Sequence, residues 1–293
     1  MKKILIVAAA VLAFASCKET DPIIKPAPAM VDTTYVVSPV PAAAPHNVLV
    51  EDFTGAACSN CPNAAAVITG LEASNPGRIN AMGLFVLDFP QAVPPTGAKY
   101  DFRTDAATQI EDQIYGNVFA EPIGGIDRQG LGSALLGSVY QIQYQNWNTD
   151  VANRLGIADS VNLSVSSVYD PGTHTDSIRV VTTYLYRTTA AHALSIAIVE
   201  DSFVDIQEQP NTTFDTSYLF NHVLREMATS VPFGDPILPS MATKEAGRVD
   251  DRVYVHKMTT QVNPAHCRII AFITDAGNKS TNVYQSVQTK MVP

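Results

Sequence analysis

The sequence predicts an α/β domain followed by an all-β sandwich domain. Two observations lead to this prediction. Between His46 and Leu155, apolar strand-like segments alternate with segments of helical periodicity. After Gly156, apolar and polar residues alternate in short runs that are separated by turn residues. We therefore place the two domains at 46–155 and 156–293, and a chain of 293 residues is long enough to build two cores.

The first residues are predicted to be a targeting segment and not part of the fold. Lys2 and Lys3 precede an uncharged, mostly apolar run that ends at Ser16. This run is shorter than the ~20 residues that cross a bilayer, so residues 1–16 are interpreted as a secretory signal peptide. The small residues before Cys17 resemble a bacterial lipobox, which makes Cys17 the predicted site of acylation. Ordinary cleavage that leaves Cys17 as a free thiol is the alternative.

Residues 17–45 are predicted to be a tether between the lipid and the first domain. Six prolines in this segment disfavour helix and favour extended polyproline II structure. Near Tyr35-Val36-Val37, this tether has the composition of an edge strand that is able to pair.

The individual elements follow from periodicity. In the first domain, apolar runs predict strands, and apolar residues at i, i+3, i+4 and i+7 predict helices. The strands are expected at 48–53, 79–87 and 122–127, and the helices at 64–71, 104–115 and 140–155. In the second domain, alternating faces predict an immunoglobulin-like sandwich. Its strands are expected around 161–165, 178–186, 194–198, 253–255, 268–273 and 282–287.

Charge and motif content exclude several functions. The formal net charge is −9, which argues against a nucleic-acid partner and against a polybasic membrane patch. The six histidines have no zinc-ligand spacing, and no glycine loop of the phosphate-binding type is present. We therefore predict no metal and no cofactor. The lipid is the expected contact with the membrane, and a protein or surface ligand is the expected partner.

Cys58 and Cys61 form the motif with the most specific chemistry. They make a C-x-x-C where a predicted buried strand meets a helix, and no second ligand pair accompanies them. At a helix N-terminus, the dipole and the free N–H groups lower the pKa of the first cysteine, and the second is able to resolve a mixed disulfide. A static disulfide is the alternative in an oxidising compartment. Both interpretations stay open at this point.

The segment Val48 to Pro62 resembles the strand, active site and helix of the thioredoxin family. This resemblance implies that Asp52 is a buried proton acceptor, with Cys58 as nucleophile and Cys61 as resolving thiol. It also implies that Pro122 is the cis-proline that shapes the substrate groove. The sequence departs from the family at Ala57, where a tryptophan is expected, and at Gly124-Gly125, where bulky strand residues are expected.

The whole arrangement resembles the outer-membrane-protein-28 family of Bacteroidota lipoproteins. The resemblance covers 46–293 and is most specific at the cysteine segment. The stretches that carry it are VEDFTG with CSNCP, YDFRT, PIGGIDR, IVED, FNHVLR and RIIAFI. It implies an outer-membrane location, facing the periplasm or the exterior, and a role as adhesin or receptor.

Three functions are therefore expected in order of preference. The first is a surface binding or adhesion module, the second is an extracytoplasmic thiol–disulfide oxidoreductase, and the third is a structural scaffold. Cys267 is expected to be a buried free thiol, because the other two cysteines form a pair. His222 and Arg225 form either a binding spot or part of the core. The remaining histidines are expected at the surface or at strand edges: His46, His174, His192, His256 and His266.

Overall fold

The computed structural model describes residues 29–130, 139–276 and 282–292. The predicted signal peptide 1–16, the predicted acylation site Cys17 and the first part of the predicted tether lie outside these residues. Within them, no helix is long and apolar enough to cross a membrane.

The N-terminal half is a βαβαββα unit. Its strands are β2 (Val48–Phe53), β3 (Ile79–Leu84), β4 (Ile123–Ile126) and β5 (Ile142–Gln143), and its helices are α1 (Cys61–Ser74), α2 (Asp105–Ile110) and α3 (Trp147–Leu155). The strand order is β3-β2-β4-β5, with β2 parallel to β3 and antiparallel to β4. Because β2 lies in the centre of this unit, all six of its residues are buried.

The C-terminal half is almost entirely β-structure. Its strands are β6 (Val161–Asp170), β7 (Thr175–Tyr184), β8 (His192–Glu200), β9 (Phe203–Glu208), β10 (Phe214–Phe220), β11 (Val223–Met227), β12 (Asp235–Ile237), β13 (Arg248–Lys257), β14 (Cys267–Asp275) and β15 (Gln285–Lys290). An additional strand β1 (Ala29–Val36) pairs antiparallel with β13, which confirms that the tether is able to add an edge strand.

The two halves share one sheet. Among the described residues it has the order β15-β14-β8-β11-β3-β2-β4-β5, and β12 also pairs with β8. The connection between the halves is a parallel bridge from Val223 to Gly83, where the Gly83 N–H donates to the His222 carbonyl at 2.7 Å. The boundary predicted near residue 156 falls in the connection between α3 and β6, yet the strands on its two sides hydrogen-bond into the same layer.

A second sheet packs on the C-terminal end of the first. It has the order β1-β13-β7-β6 and contributes Val161, Ile178 and Tyr184 to a core that it shares with β8 and β14. Two face-to-face sheets therefore enclose this core, as a sandwich does. The opposite face of the long sheet packs on α2, in a core that runs from Leu49 to Phe272 across both halves. The fold is β-rich, as expected, but its layers are not divided between two separate units.

One expectation for a helix and two expectations for histidines are wrong. The helix predicted over 140–155 begins only at Trp147, because Ile142 pairs with Gly124 and belongs to β5. His46 is buried and not at the surface, since its Nδ1 and Nε2 atoms lie 2.7 and 2.8 Å from carboxylate oxygens of Asp159 and Asp127.

His192 is also buried, against expectation. Its ring stacks on Tyr184 and meets Tyr284 edge to face. Strand periodicity does not reveal such partners, because they come from other parts of the chain.

Candidate functional site

The cysteine pair lies at the start of α1, directly after the carboxyl end of β2. Cys58 and Cys61 form a disulfide with an S–S distance of 2.01 Å and a Cα–Cα distance of 5.4 Å. Each cysteine is only 2% exposed. The predicted strand–loop–helix context is therefore present, but the sulfurs are enclosed by protein.

A hairpin from the C-terminal half covers the cysteine loop. Gln207 of β9 donates through Nε2 to the carbonyls of Cys58 and Gly55, at 2.9 and 3.2 Å. The backbone N–H of Glu208 donates to the Ala56 carbonyl at 2.9 Å. Three bonds thus hold the β9–β10 hairpin against the loop, and they explain the burial of Cys58.

The loop before β4 faces the cysteines from the other side. The Glu121–Pro122 peptide bond is cis, and the carboxylate of Glu121 lies within 4.8 Å of both sulfurs. Burial, together with the charges of Asp52 and Glu111, raises the pKa of Glu121 to about 9. Glu121 is therefore a neutral acid at pH 7, and neither carboxyl oxygen has a hydrogen-bond partner in the described part of the chain.

Asp52 is the second acid beside the cysteines. It is 4% exposed, and its Oδ1 atom has no hydrogen-bond partner among the residues described. Burial holds the pKa of the Asp52 carboxyl well above its usual range. Asp52 and Cys61 line the same cavity, and Pro122 directly follows Glu121, whose carboxylate lies within 4.8 Å of both sulfurs.

The cysteines and Glu121 also have the atom spacing of a metal-binding group. Thiolate is the form of cysteine that binds metals, whereas these sulfurs are bonded to each other. A metal therefore requires the reduced pair. A second acidic group, formed by Asp88, Glu111 and Asp112, lies near α2 and contains only carboxylates.

A cavity of about 280 Å³ opens beside Cys61. It lies between the first turns of α1, the end of β3 and the β10 strand, and Asp52 is among the side chains that line it. Aromatic side chains form part of the wall: Phe85, Tyr218 and Phe220. The volume is near the lower end of small-ligand sites, which span roughly 300–1,000 Å³.

The two glycines of β4 have a packing role next to this site. A methyl group added to Gly125 would lie 2.0 Å from the Tyr115 hydroxyl, and one added to Gly124 would lie 2.7 Å from the Trp147 ring. The Tyr115 hydroxyl reaches past Gly125 and donates to Glu51 at 2.5 Å. Buried aromatic neighbours, and at Gly124 also the Glu51 carbonyl oxygen 2.1 Å from the added methyl group, therefore account for the absence of bulky residues at these two positions.

His222 and Arg225 do not form a joint binding spot. The Nε2 atom of His222 lies 3.2 Å from a Glu72 carboxylate oxygen, and His222 lines the cavity. Arg225 instead pairs with Glu200 at 3.3 Å and lies over the Phe203 ring. Cys267 is free and buried, which confirms that expectation.

Two site residues had no assigned role in the sequence prediction. Glu121 directly precedes Pro122 in the sequence. A prediction that places Pro122 beside the cysteines therefore also places Glu121 near them. Gln207 lies 146 positions after Cys61 in the chain and has no local motif. Its role follows only from the position of the β9–β10 hairpin.

Comparison with known proteins provides a family and a fold. The family described as "Outer membrane protein Omp28" matches residues 113–292, which is more than half of the chain. No curated protein matches the chain. The cysteine segment lies before the matched residues, although the sequence resemblance had appeared most specific there.

Three solved structures align with this chain at low sequence identity. HBP35 of Porphyromonas gingivalis aligns with a TM-score of 0.63 at 12% identity, covering 86% of this chain and 77% of that chain. Protein AGR_C_4864 from Agrobacterium tumefaciens aligns with a TM-score of 0.48 at 12% identity, over 85% and 96% of the two chains. A domain of the outer membrane lipoprotein Omp28 from Porphyromonas gingivalis aligns with a TM-score of 0.30 at 16% identity, over 45% and 88%. At such identities, the likeness to HBP35 concerns the fold alone.

Proposed function

The chain belongs to the Omp28 family of outer membrane proteins, and from this premise we propose that it is a lipid-anchored binding module. Cys17 carries the lipid in this proposal, and residues 17–45 separate the anchor from the folded part. The module faces either the periplasm or the cell exterior, and its partner is a protein, a surface or a small ligand. The net charge of −9 makes nucleic acid an unsuitable partner.

We infer further that the N-terminal half is a thioredoxin-like unit joined to an immunoglobulin-like sandwich. The βαβαββα order, the cysteine pair at the start of α1 and the position of Pro122 support the first part. The two packed sheets support the second part. Because β3 and β11 are bridged, the two units are proposed to move as one body.

The burial of the disulfide is the observation that favours binding over catalysis. Disulfide exchange requires a thiolate to approach a sulfur atom along the S–S axis, and catalytic cysteines are accessible for that reason. Here Cys58 is 2% exposed and its carbonyl is bonded to Gln207. The cavity beside Cys61, in contrast, stays open while the disulfide is closed.

A second candidate function, thiol–disulfide exchange outside the cytoplasm, is favoured by the two acids. Asp52 and Glu121 both lack hydrogen-bond partners among the described residues, and both are able to hold a proton near the sulfurs. In that mechanism the thiolate of a substrate attacks the Cys58 sulfur and forms a mixed disulfide with it. The Cys58–Cys61 bond breaks, Cys61 leaves as a thiolate, and one of the acids protonates that thiolate. The β9–β10 hairpin would first have to open.

A trapping experiment separates the two functions. In the Cys61→Ser variant of the mature chain, Cys58 keeps a thiol but has no resolving partner, so an exchange enzyme accumulates mixed disulfides. We expect no adduct with oxidised insulin or with a disulfide-containing peptide on non-reducing gels. Cys267→Ser, introduced into the same background, controls for the other thiol. Adducts that require Cys58 would overturn the proposal.

The anchor is tested separately. We expect Cys17→Ala to release the protein from the membrane fraction and to abolish labelling by a fatty-acid precursor, while its far-UV circular dichroism stays unchanged. Protease treatment of intact cells then distinguishes the two faces, because only an externally exposed module is digested. Membrane retention and acylation of Cys17→Ala would contradict the assignment of the anchor.

A further inference from the structure

The cavity beside Cys61 has a charge pattern that selects its ligand. Among its described lining residues, Asp52 is the one carboxyl group, and neither lysine nor arginine is present. Burial and the charge of Arg268 lower the pKa of His222 to about 4, so this side chain is neutral at pH 7. An anion that enters the cavity would therefore lose its hydration water without gaining a positively charged partner, which disfavours its binding.

Asp52 lines the cavity and carries a buried oxygen without a hydrogen-bond partner among the described residues. The side chain is 4% exposed, and its Oδ1 atom has no hydrogen-bond partner in the described ranges. Its neighbour Glu51 differs, because Arg128 donates to both of its carboxylate oxygens. Asp52 thus lacks the counter-ion that the adjacent buried acid has, and a cationic ligand would provide one and favour the ionised carboxylate.

The remaining walls suit an apolar body attached to that counter-ion. Phe85, Tyr218 and Phe220 line the cavity together with Ile68 and Pro62. Aromatic walls attract organic cations through the ring quadrupole, and a carboxylate forms charge-assisted hydrogen bonds with an ammonium group. A volume of about 280 Å³ limits the ligand to a single ring or a short chain.

We propose that this cavity binds an organic ammonium group on a small apolar body, with Asp52 as its counter-ion. The inference rests on the proposed binding function and specifies its ligand class. Two sources carry this chemistry: a free small amine, and the side chain of a lysine presented by a peptide.

Calorimetric titration of the mature chain with matched probes tests the proposal. Phenethylamine, 2-phenylethanol and phenylacetate share a ring and differ in the head group. We expect phenethylamine to bind about tenfold or more tightly than the alcohol, and phenylacetate to show no binding. N-acetyl-lysine N-methylamide forms a separate arm: tighter binding than phenethylamine indicates a peptide lysine, and weaker binding indicates a free amine.

Two variants and one control identify the site. Asp52→Asn keeps the shape of the side chain, and we expect it to remove the preference for amine over alcohol. Ala65→Phe, at the cavity wall, is expected to weaken both probes. Glu111→Gln changes a buried acid that does not line the cavity, so amine binding should stay unchanged.

Several outcomes would overturn the inference. They are equal binding of amine and alcohol, binding of phenylacetate, amine preference that survives Asp52→Asn, and the absence of binding by every probe. None of them produces the Cys58 adducts that would overturn the binding-module proposal, so the two failures are distinguishable.

Discussion

Two adjacent acids on β2 show how differently the two faces of one strand are used. Glu51 and Asp52 are 0% and 4% exposed. Glu51 accepts hydrogen bonds from Arg128 at 2.8 and 2.7 Å and from the Tyr115 hydroxyl. Asp52 points to the opposite face of the strand, lines the cavity, and has an oxygen without a partner in the described residues.

The difference separates a structural acid from a candidate site. A buried carboxylate with complete partners holds elements together, and its removal leaves the partner charge unpaired. A buried carboxyl without partners adds little to stability and is available to a ligand or to a proton. The same reasoning assigns Glu121 to the site, and it assigns Asp127 and Asp159, which hold His46, to the fold.

The largest expected effect comes from the paired acid. Glu51→Gln leaves the Arg128 guanidinium buried without its carboxylate, and we expect the free energy of unfolding to fall by about 3–5 kcal/mol. Asp52→Asn is the matched control, and we expect a change within about 0.5 kcal/mol or a small gain. Urea unfolding followed by circular dichroism measures both. Equal losses of unfolding free energy in the two variants would contradict the difference between a paired Glu51 and an unpaired Asp52.

The comparison extends to a second pair of buried acids, Asp127 and Asp159, which both contact His46. Burial alone lowers the pKa of His46, but its bonds to Asp127 and Asp159 and their charges outweigh this effect and raise the pKa to about 9. The histidine is protonated in the fold and has a pKa of 6.5 when unfolded. The contribution of protonated His46 to the free energy of unfolding is therefore complete below pH 6.5 and is lost as the pH rises through about 9.

We expect this loss to be about 3 kcal/mol between pH 6 and pH 10, as measured by urea unfolding at each pH. His46→Gln should be less stable at pH 6 and should lack most of this slope. A wild-type curve that is flat over this range would contradict the protonated state of His46.

A smaller effect is expected at Gly125 of β4, which lies beside the hydrogen bond from the Tyr115 hydroxyl to Glu51. Gly125→Ala places a methyl group 2.0 Å from the Tyr115 hydroxyl and should displace it from Glu51. We expect a loss of about 1–3 kcal/mol in the free energy of unfolding. Gly70→Ala serves as control, because a methyl group there meets nothing within 4 Å inside α1 and should gain about 0.5–1 kcal/mol. Unchanged stability of Gly125→Ala would mean that Tyr115 is free to move.

Local patterns were sufficient to predict much of the fold. The strand at 48–53 is confirmed, and α1 buries Ala64, Ile68 and Leu71 at the predicted helical spacing. These elements depend on burial along one segment, which periodicity reports directly. The composition around Tyr35 also predicted an edge strand in this segment, but not that β13 is its partner.

Non-local contacts could not be predicted in the same way. The bridge from Gly83 to Val223 joins segments 140 residues apart, and nothing in either segment specifies the other as its neighbour. The hydrogen bond from Gln207 to the Cys58 carbonyl and the contacts of His46 with its two carboxylates also join segments that are distant in sequence. The cysteine pair was found by its motif, whereas its burial depends on a hairpin that is distant in sequence.

The reduction potential of the Cys58–Cys61 couple tests the central claim most directly. The mature chain is equilibrated with dithiothreitol buffers, quenched by alkylation and analysed by mass spectrometry. Because the pair is buried and held by Gln207 and Glu208, we expect a potential below about −300 mV, as in structural disulfides. A value between about −270 and −120 mV, the range of thioredoxins and stronger oxidants, would contradict the account and favour exchange catalysis.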